Sequence, residues 1–227
     1  MTSSEFNDFL KSISSQPLHV LDASIPKEQY TAIDLSEGNA ELKAIDTSSS
    51  LIFSKYINVY LKKHNATVAY GGYTEVRSIY GRSRHFGTDA EKRNIHLGID
   101  VWCDAETPIF TPLDGIVHSF KNNKGLGDYG PALILEHHIN GVGFYTLYGH
   151  LSLKSIVSLK VGQSFLQGAQ IGTLGNAYIN GNYPPHLHFQ IIRDMQGNFG
   201  DYPGVCAKQD VDFYMENCPD PQLLLKI

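Results

Sequence analysis

The chain has 227 residues, a formal net charge of −5, 42% hydrophobic and 18% charged residues, which together predict one globular core with a smaller appendage. The acidic balance leaves no basic stripe, so it argues against nucleic acid and against anionic membrane surfaces as partners. No stretch approaches the roughly 20 apolar residues that span a bilayer. Cys103, Cys206 and Cys218 form no CxxC pair, which favours free thiols in a reducing compartment.

Residues 1–69 have the pattern of a small helical N-terminal region. The segments FNDFLKSI and SSSLIFSKYINVYLKKH place apolar residues at intervals of three and four, which predicts two short amphipathic helices. Ser48–Ser50 stand where the second helix would need an N-cap. The first twenty residues contain no basic stretch followed by an apolar run, so we expect no secretory signal and a cytoplasmic location.

From residue 70 onward the pattern is that of β-strands. In ALILEHHINGVGFYTLYGHL two apolar-rich arms flank Asn140–Gly141, a dipeptide that accepts the positive φ of a hairpin turn. IHLGIDVWC, TPIFTPLDGIVHSF and HLHFQII add short β-branched and aromatic runs. Helices and strands do not alternate, so a parallel sheet is not expected. The expected fold is mainly β: a bent antiparallel sheet or β-sandwich with a small helical N-terminal region.

Two segments combine histidine and carboxylate side chains at short spacing. His96 and Asp100 lie four apart in HLGID, and His186 and His188 lie two apart in HLHFQI. If each segment is one strand, these even separations put both members of a pair on one face. Two such faces can surround one metal ion, and zinc favours imidazole nitrogen and carboxylate oxygen in a tetrahedral set. Gly98 would leave room for the partner strand.

Each pair also has a plainer interpretation. An HxxxD spacing arises often by chance, and two neighbouring histidines can be hydrogen-bonded surface residues. The HxH pair is the stronger signal, because histidines on one face of an apolar strand are costly unless they bind something. A third element, YGHL at 148–151, makes the combination specific.

Taken in order, HLGID, LYGHLS, VGQSFLQGAQIGTLGN and PPHLHFQI resemble the lysostaphin-like (LytM-type, duplicated hybrid motif) zinc metalloendopeptidases over about residues 70–195. The resemblance implies a small antiparallel β fold with a groove and a zinc ion (Zn2+) held by His96, Asp100 and His188. It also implies that His150 and His186 lie beside the metal-bound water and the substrate carbonyl. Members of this family usually cut peptide cross-links in bacterial cell walls.

The implied roles agree with the chemistry of the residues. A neutral imidazole accepts a proton from water, and a protonated one stabilises an oxyanion. No HExxH motif occurs in the chain, so no glutamate is placed to act as the base of a thermolysin-like site. His150 and His186 are therefore the predicted catalytic pair, and the sequence does not distinguish the base from the oxyanion donor.

The segments outside residues 70–195 do not resemble the cell-wall endopeptidases. The region 1–69 is interpreted as an N-terminal cap region that covers the groove, forms a dimer contact or docks another chain. A C-terminal extension, 196–227, is expected to pack on the peptidase domain. In these parts the chain resembles a segment found inside larger bacterial proteins, between phosphotransferase-like and aminotransferase-like domains, which suggests partner enzyme domains of those kinds.

Two functions follow from these features. The first is a zinc metallopeptidase that cleaves a peptide or murein fragment containing glycine or D-amino acids. The alternative is a non-hydrolytic groove module that binds a small amide-like ligand or a partner enzyme. The complete ligand set favours the enzyme.

Several other residues carry expectations that a structure can test. Arg77 and Tyr80 either line a substrate groove or form a structural salt bridge. His118 and His137 are expected to face solvent or a turn. Asp128–Tyr129 are expected in a turn rather than in the groove wall.

Overall fold

The computed structural model describes residues 1–82 and 92–227. The helices of these residues are α1 (Ser3–Ile13), α2 (Ala40–Lys43), α3 (Ser50–Lys63), α4 (Lys154–Val157), α5 (Val211–Asn217) and α6 (Gln222–Leu225). The strands are β1 (Tyr30–Ala32), β2 (Val68–Gly71), β3 (Arg93–His96), β4 (Ile99–Trp102), β5 (Pro108–Phe110), β6 (Gly115–Asn123), β7 (Gly130–Ile139), β8 (Val142–Gly149), β9 (Ser164–Phe165), β10 (Gln170–Thr173), β11 (His186–Ile192) and β12 (Val205–Ala207). Within the described ranges, no helix has both the length and the apolar character needed to cross a membrane.

One large sheet organises the molecule, with the strand order β1-β2-β4-β11-β8-β7-β6-β9. Two small sheets, β10-β5 and β12-β3, lie beside it. The paired strands are antiparallel apart from β1 with β2, which run parallel. The mainly β prediction with helices near the N-terminus is confirmed, and β1 makes the large sheet mixed.

The hairpin β7–β8 forms where the sequence predicts it. Asn140 and Gly141 adopt φ values of 50° and 79°, the pair of positive angles that a two-residue type I′ turn requires. Ile139 then pairs with Val142 across the turn. The second strand of this hairpin, β8, carries the chain to Gly149 and His150.

The two predicted N-terminal helices are also present. Helix α1 begins after Thr2, whose side chain accepts a hydrogen bond from the Glu5 amide, and helix α3 begins after Ser49 in the same way. Their apolar faces are buried, and Phe53 of α3 packs on Trp102 of β4 with ring centroids 5.5 Å apart. The N-terminal residues therefore share a core with the sheet, while the three-part domain division stays a prediction.

The segment HLGID is divided between two strands, so the prediction of a single strand is wrong. Strand β3 ends at His96 and pairs with β12, whereas β4 begins at Ile99 and pairs with β2 and β11. The chain changes sheets at Gly98, where a Cβ would lie 2.7 Å from both His188 Cε1 and the Phe189 carbonyl. This bend, not strand alternation, brings His96 to Asp100.

His137 is buried, so the alternative that it faces solvent is wrong, whereas its contact with Asp114 agrees with an association with a turn. It is 1% exposed and lies on the same face of β7 as Leu133 and Leu135. Its Nδ1 lies 2.7 Å from the Asp114 carbonyl, and its Nε2 lies 2.7 Å from Thr146 Oγ1. Burial lowers the pKa of His137 to about 4.

We expect this buried imidazole to make the fold sensitive to acid. Because the unfolded His137 binds a proton near pH 6.5 and the folded one only near pH 4, stability rises with pH between these values and is lost as the pH falls through them. Between pH 7 and pH 5 the protonation of His137 in the unfolded state should lower the free energy of unfolding by about 2 kcal/mol, because one pKa unit corresponds to about 1.36 kcal/mol. Urea unfolding of wild type and His137→Gln at both pH values should show a smaller pH dependence in the variant. Equal pH dependence would contradict the assignment.

Candidate metal centre

Adjacent strands of the large sheet bring the predicted site residues together. On β11, His188 lies directly opposite Asp100 of β4 on one side and Gly149 of β8 on the other. His150 follows Gly149 in the chain, and His186 lies opposite Trp102. His96 reaches the same place from the end of β3.

His96, Asp100 and His188 form a compact and buried donor set. His96 Nε2 lies 2.9 Å from His188 Nδ1, and each of these nitrogens lies 3.3 Å from Asp100 Oδ1. All three residues are at most 3% exposed. They form the group of His, Cys, Asp and Glu residues whose donor atoms lie close enough together to hold one metal ion.

Hydrogen bonds to the outer ring nitrogens of His96 and His188 fix the tautomer of each ring. They therefore determine which nitrogen carries the proton and which presents a lone pair to the centre of the cluster. His96 Nδ1 lies 2.9 Å from the Gly72 carbonyl, and His188 Nε2 lies 2.8 Å from Gln190 Oε1. Gln190 is held in that orientation because its Nε2 donates to the Pro203 carbonyl and to Cys218 Sγ. Since a carbonyl oxygen accepts only, each outer nitrogen carries the ring proton.

The inner atoms of the cluster therefore fit a cation. Two imidazole lone pairs and a carboxylate oxygen repel one another at these distances unless a positive charge lies between them. Burial, followed by the charge of Arg77, lowers the pKa of His96 to about 4, so protonation does not supply that charge near neutral pH. Burial alone would raise the pKa of Asp100, but His96 and Arg77 outweigh it and hold that pKa well below its usual range.

His150 and His186 lie next to the donor set as a second pair of neutral imidazoles. Their ring centroids are 4.2 Å apart, and His186 Nε2 lies 3.9 Å from Asp100 Oδ1. His150 Nδ1 donates to the Asn180 carbonyl at 2.9 Å, and His186 Nδ1 donates to the Pro184 carbonyl at 2.8 Å. Burial lowers the pKa of His186 to about 4 and that of His150 well below its usual value. Both Nε2 atoms are left free to accept a proton.

A cavity of about 210 Å³ gives access to all five residues. Its wall includes Arg77, Tyr80, Asp128 and Tyr129, so Asp128–Tyr129 belong to the groove wall as well as to a loop. The two alternatives for Arg77 are both realised, because it lines the cavity and forms buried ion pairs. Part of the wall comes from the C-terminal segment, namely Asn198, Asp201, Tyr202, Pro203, Gly204 and Val205.

The residues that orient the histidines are not among the predicted site residues. Gln190 follows His188 by two positions, so strand alternation places it on the same face, and that spacing was a usable signal. Gly72, Asn180 and Pro184 contribute main-chain carbonyls, which leave no mark in the side-chain pattern.

The loop that holds His150 depends on a close backbone contact at Gly130. Gly130 has φ +63°, and a Cβ there would lie 2.1 Å from the Ile179 carbonyl, next to Asn180. We therefore expect Gly130→Ala to displace the Asn180 carbonyl from His150 and to lower any activity that depends on His150 by at least tenfold, as misplaced catalytic groups do.

Gly141→Ala is the matched control for this change. Gly141 also has a positive φ, +79°, but a Cβ there meets nothing within 4 Å. This variant should incur only the backbone strain of an alanine at positive φ, which lowers the free energy of unfolding by about 1 kcal/mol, and it should keep its activity. Equal activity of the two variants would contradict the role of the Gly130 contact.

The fold thus places a buried His–Asp–His donor set, which could hold a metal ion, beside two neutral histidines. Residues 94–199, just under half of the chain, match the model of Peptidase family M23. The family match covers His96, Asp100, His150, His186 and His188.

Two relatives of the chain are named as endopeptidases. The chain is 26% identical to an L-Ala--D-Glu endopeptidase of Bacillus subtilis in an alignment of 170 residues that covers 71% of this chain and 49% of that protein. It is 34% identical to the peptidoglycan DD-endopeptidase ShyA of Vibrio cholerae over 98 residues, 43% of this chain and 20% of that protein. The chain thus spans about half of the first relative and a fifth of the second.

The catalytic domain of lysostaphin from Staphylococcus simulans is a similar solved structure. The match has a TM-score of 0.41 and 20% sequence identity, and it covers 71% of this chain and 96% of that domain.

Proposed function

We propose that the chain is a zinc-dependent metallopeptidase that hydrolyses amide bonds in peptidoglycan peptides, with His96, Asp100 and His188 as the metal ligands. The observation that carries this proposal is the pair of inward imidazole nitrogens 2.9 Å apart, each 3.3 Å from one carboxylate oxygen. Two imidazoles and one carboxylate are a donor set that zinc accepts in catalytic sites, with a fourth position for water. When bound there, the metal lowers the pKa of a water molecule and polarises the substrate carbonyl.

His150 and His186 are the proposed proton carriers of the reaction. Their Nδ1 protons are committed to main-chain carbonyls, so each Nε2 presents a lone pair towards the cavity. In that state an imidazole accepts the proton that the attacking water loses and returns it to the leaving amine. The approach of His186 Nε2 to Asp100 Oδ1, 3.9 Å, puts His186 at the border of the donor set.

The proposed substrate class comes from the relatives. One is named as an L-Ala--D-Glu endopeptidase and the other as a peptidoglycan DD-endopeptidase. The two names share an amide bond next to a D-amino acid. We therefore propose a bond of this kind as the one that is cleaved. The division into 1–69, 70–195 and 196–227, the neighbouring phosphotransferase-like and aminotransferase-like domains and the cytoplasmic location stay predictions.

Digestion of defined muropeptides tests this function. The zinc-loaded chain should be incubated with uncross-linked and cross-linked muropeptides, and the new amino termini identified by mass spectrometry. Cleavage at an amide next to a D-amino acid is the expected result. Zinc-loaded protein that binds the muropeptides and cleaves none of them would contradict the proposal and favour the non-hydrolytic groove module.

A further inference from the structure

The guanidinium of Arg77 is enclosed beside the candidate metal centre. Arg77 is 1% exposed. Its Nη1 donates to Asp100 Oδ2 and, at 3.2 Å, to Tyr80 Oη, while its Nε donates to Glu75 Oε2 at 2.6 Å. A cation this deeply buried is stable only when carboxylates pair with it. Arg77 is therefore fixed between two acids, one of which is a proposed metal ligand.

The two oxygens of Asp100 have different partners. Oδ1 lies 3.3 Å from both His96 Nε2 and His188 Nδ1, whereas Oδ2 is held by Arg77. A carboxylate that is free to rotate can bind a metal through one oxygen or through both. Because Arg77 holds Oδ2, only Oδ1 faces the donor set.

Glu75 is itself held by the N-terminal region. Its Oε1 accepts a hydrogen bond from the main-chain amide of Leu35 at 2.8 Å, while Oε2 accepts from Arg77. The Glu75 carbonyl in turn accepts from the amide of His96 at 3.0 Å. The position of Arg77 is thus set by residues that precede the family-matched segment 94–199.

Gly72 provides the space that this arrangement needs. It has φ +103°, and a Cβ there would lie 1.8 Å from Arg77 Nη2 and 3.0 Å from His96 Nδ1. The Gly72 carbonyl also accepts the hydrogen bond of His96 Nδ1. One glycine therefore accommodates both the guanidinium and the outer hydrogen bond of a proposed ligand.

We infer that Arg77, held by Glu75, is a positioning residue that keeps Asp100 as a single-oxygen metal ligand and leaves the remaining coordination position to water. This inference rests on the proposed function, since it takes Asp100 to be a ligand. It assigns a role to residues before position 94: Leu35, Gly72 and Glu75 fix the group that orients Asp100.

Metal binding by Arg77 variants tests the inference without relying on activity. Zinc affinity is measured by competition with a chromophoric chelator, and coordination by the visible absorption of the cobalt-substituted protein. Arg77→Met should bind zinc 10- to 100-fold more weakly, roughly the effect of losing an outer partner of a ligand. Its cobalt absorption should also weaken, because an Asp100 that binds through both oxygens raises the coordination number. Arg77→Lys should recover only part of the affinity, since an ammonium cannot hold both carboxylates as the planar fork does.

Arg193→Met is the matched control, because Arg193 pairs with Glu216 and packs on the Phe6 ring, away from the cavity. It should keep the wild-type affinity and spectrum. If Arg77→Met does not fold, Glu75→Gln takes its place and should change affinity and spectrum in the same direction by a smaller factor.

Two outcomes separate this inference from the function on which it rests. A wild-type chain that binds neither zinc nor cobalt overturns both. Wild-type affinity and spectrum in the folded variants, beside a wild type that binds metal, overturn the positioning role alone.

Discussion

His188→Ala should purify without stoichiometric zinc and without hydrolytic activity. The substitution removes one of the two inward nitrogens and leaves His96 and Asp100 as an incomplete set. Removing a residue that hydrogen-bonds to a metal ligand lowers metal affinity by up to roughly 100-fold. Removing the ligand His188 itself should lower the zinc affinity by more than that. Added zinc at 1,000 times its dissociation constant stabilises a binding protein by about 4 kcal/mol, so zinc should raise the thermal midpoint of wild type and not of the variant.

His138→Ala is the control for this substitution. His138 stands one residue beyond His137 on β7, its side chain is 64% exposed, and it contacts Glu136 at 3.6 Å. It should keep the metal content and the zinc-dependent midpoint of the wild type. Full zinc occupancy in His188→Ala would contradict the proposed ligand set.

His150→Ala and His186→Ala should each keep one zinc ion and lose activity. Each removes an Nε2 lone pair beside the donor set, and general acid–base groups contribute about 10²- to 10⁴-fold to a rate. The expected result is a kcat lower by that factor. Metal content and kcat, measured on the same preparations, show whether each variant keeps its zinc while it loses activity.

His64→Ala provides the comparison, because His64 is exposed at the end of α3 and stacks on Tyr60. It should match the wild type in both measurements. Loss of zinc from His150→Ala or His186→Ala would show that the residue binds the metal rather than carrying the proton.

The sequence predicts the elements whose signals are local. The Asn140–Gly141 dipeptide identifies the hairpin because few other residues accept two positive φ angles in succession. The apolar spacing of α1 and α3 identifies two helices for an equally local reason. The spacing of His186 and His188 places both on one face of β11, as observed.

The parts that the sequence does not predict depend on distant contacts. The break between β3 and β4 follows from the approach of His188 and Phe189 to Gly98, which lie about ninety positions later in the chain. His137 is a different case: its alternation with Leu133 and Leu135 indicates burial, but its polarity argued for solvent.

The groups that hydrogen-bond to the site histidines from outside are the part of the site that the sequence predicts least well. Main-chain carbonyls of Gly72, Asn180 and Pro184 fix three of the four histidine rings, and any residue type supplies a carbonyl. The charged side chain of Arg77 is visible in the sequence, but it is equally consistent with a groove-lining residue and with a structural salt bridge. Only the folded arrangement shows that it both lines the cavity and holds Asp100.

The most direct test of the metallopeptidase is the dependence of hydrolysis on bound zinc. The chain is freed of metal with a chelator, the chelator is removed, and the release of amines from a muropeptide is followed as zinc is added. Activity that is absent without metal and is restored at one equivalent of zinc is the predicted result. A metal-free chain that cleaves the muropeptide at the rate of the zinc-loaded chain would contradict the account.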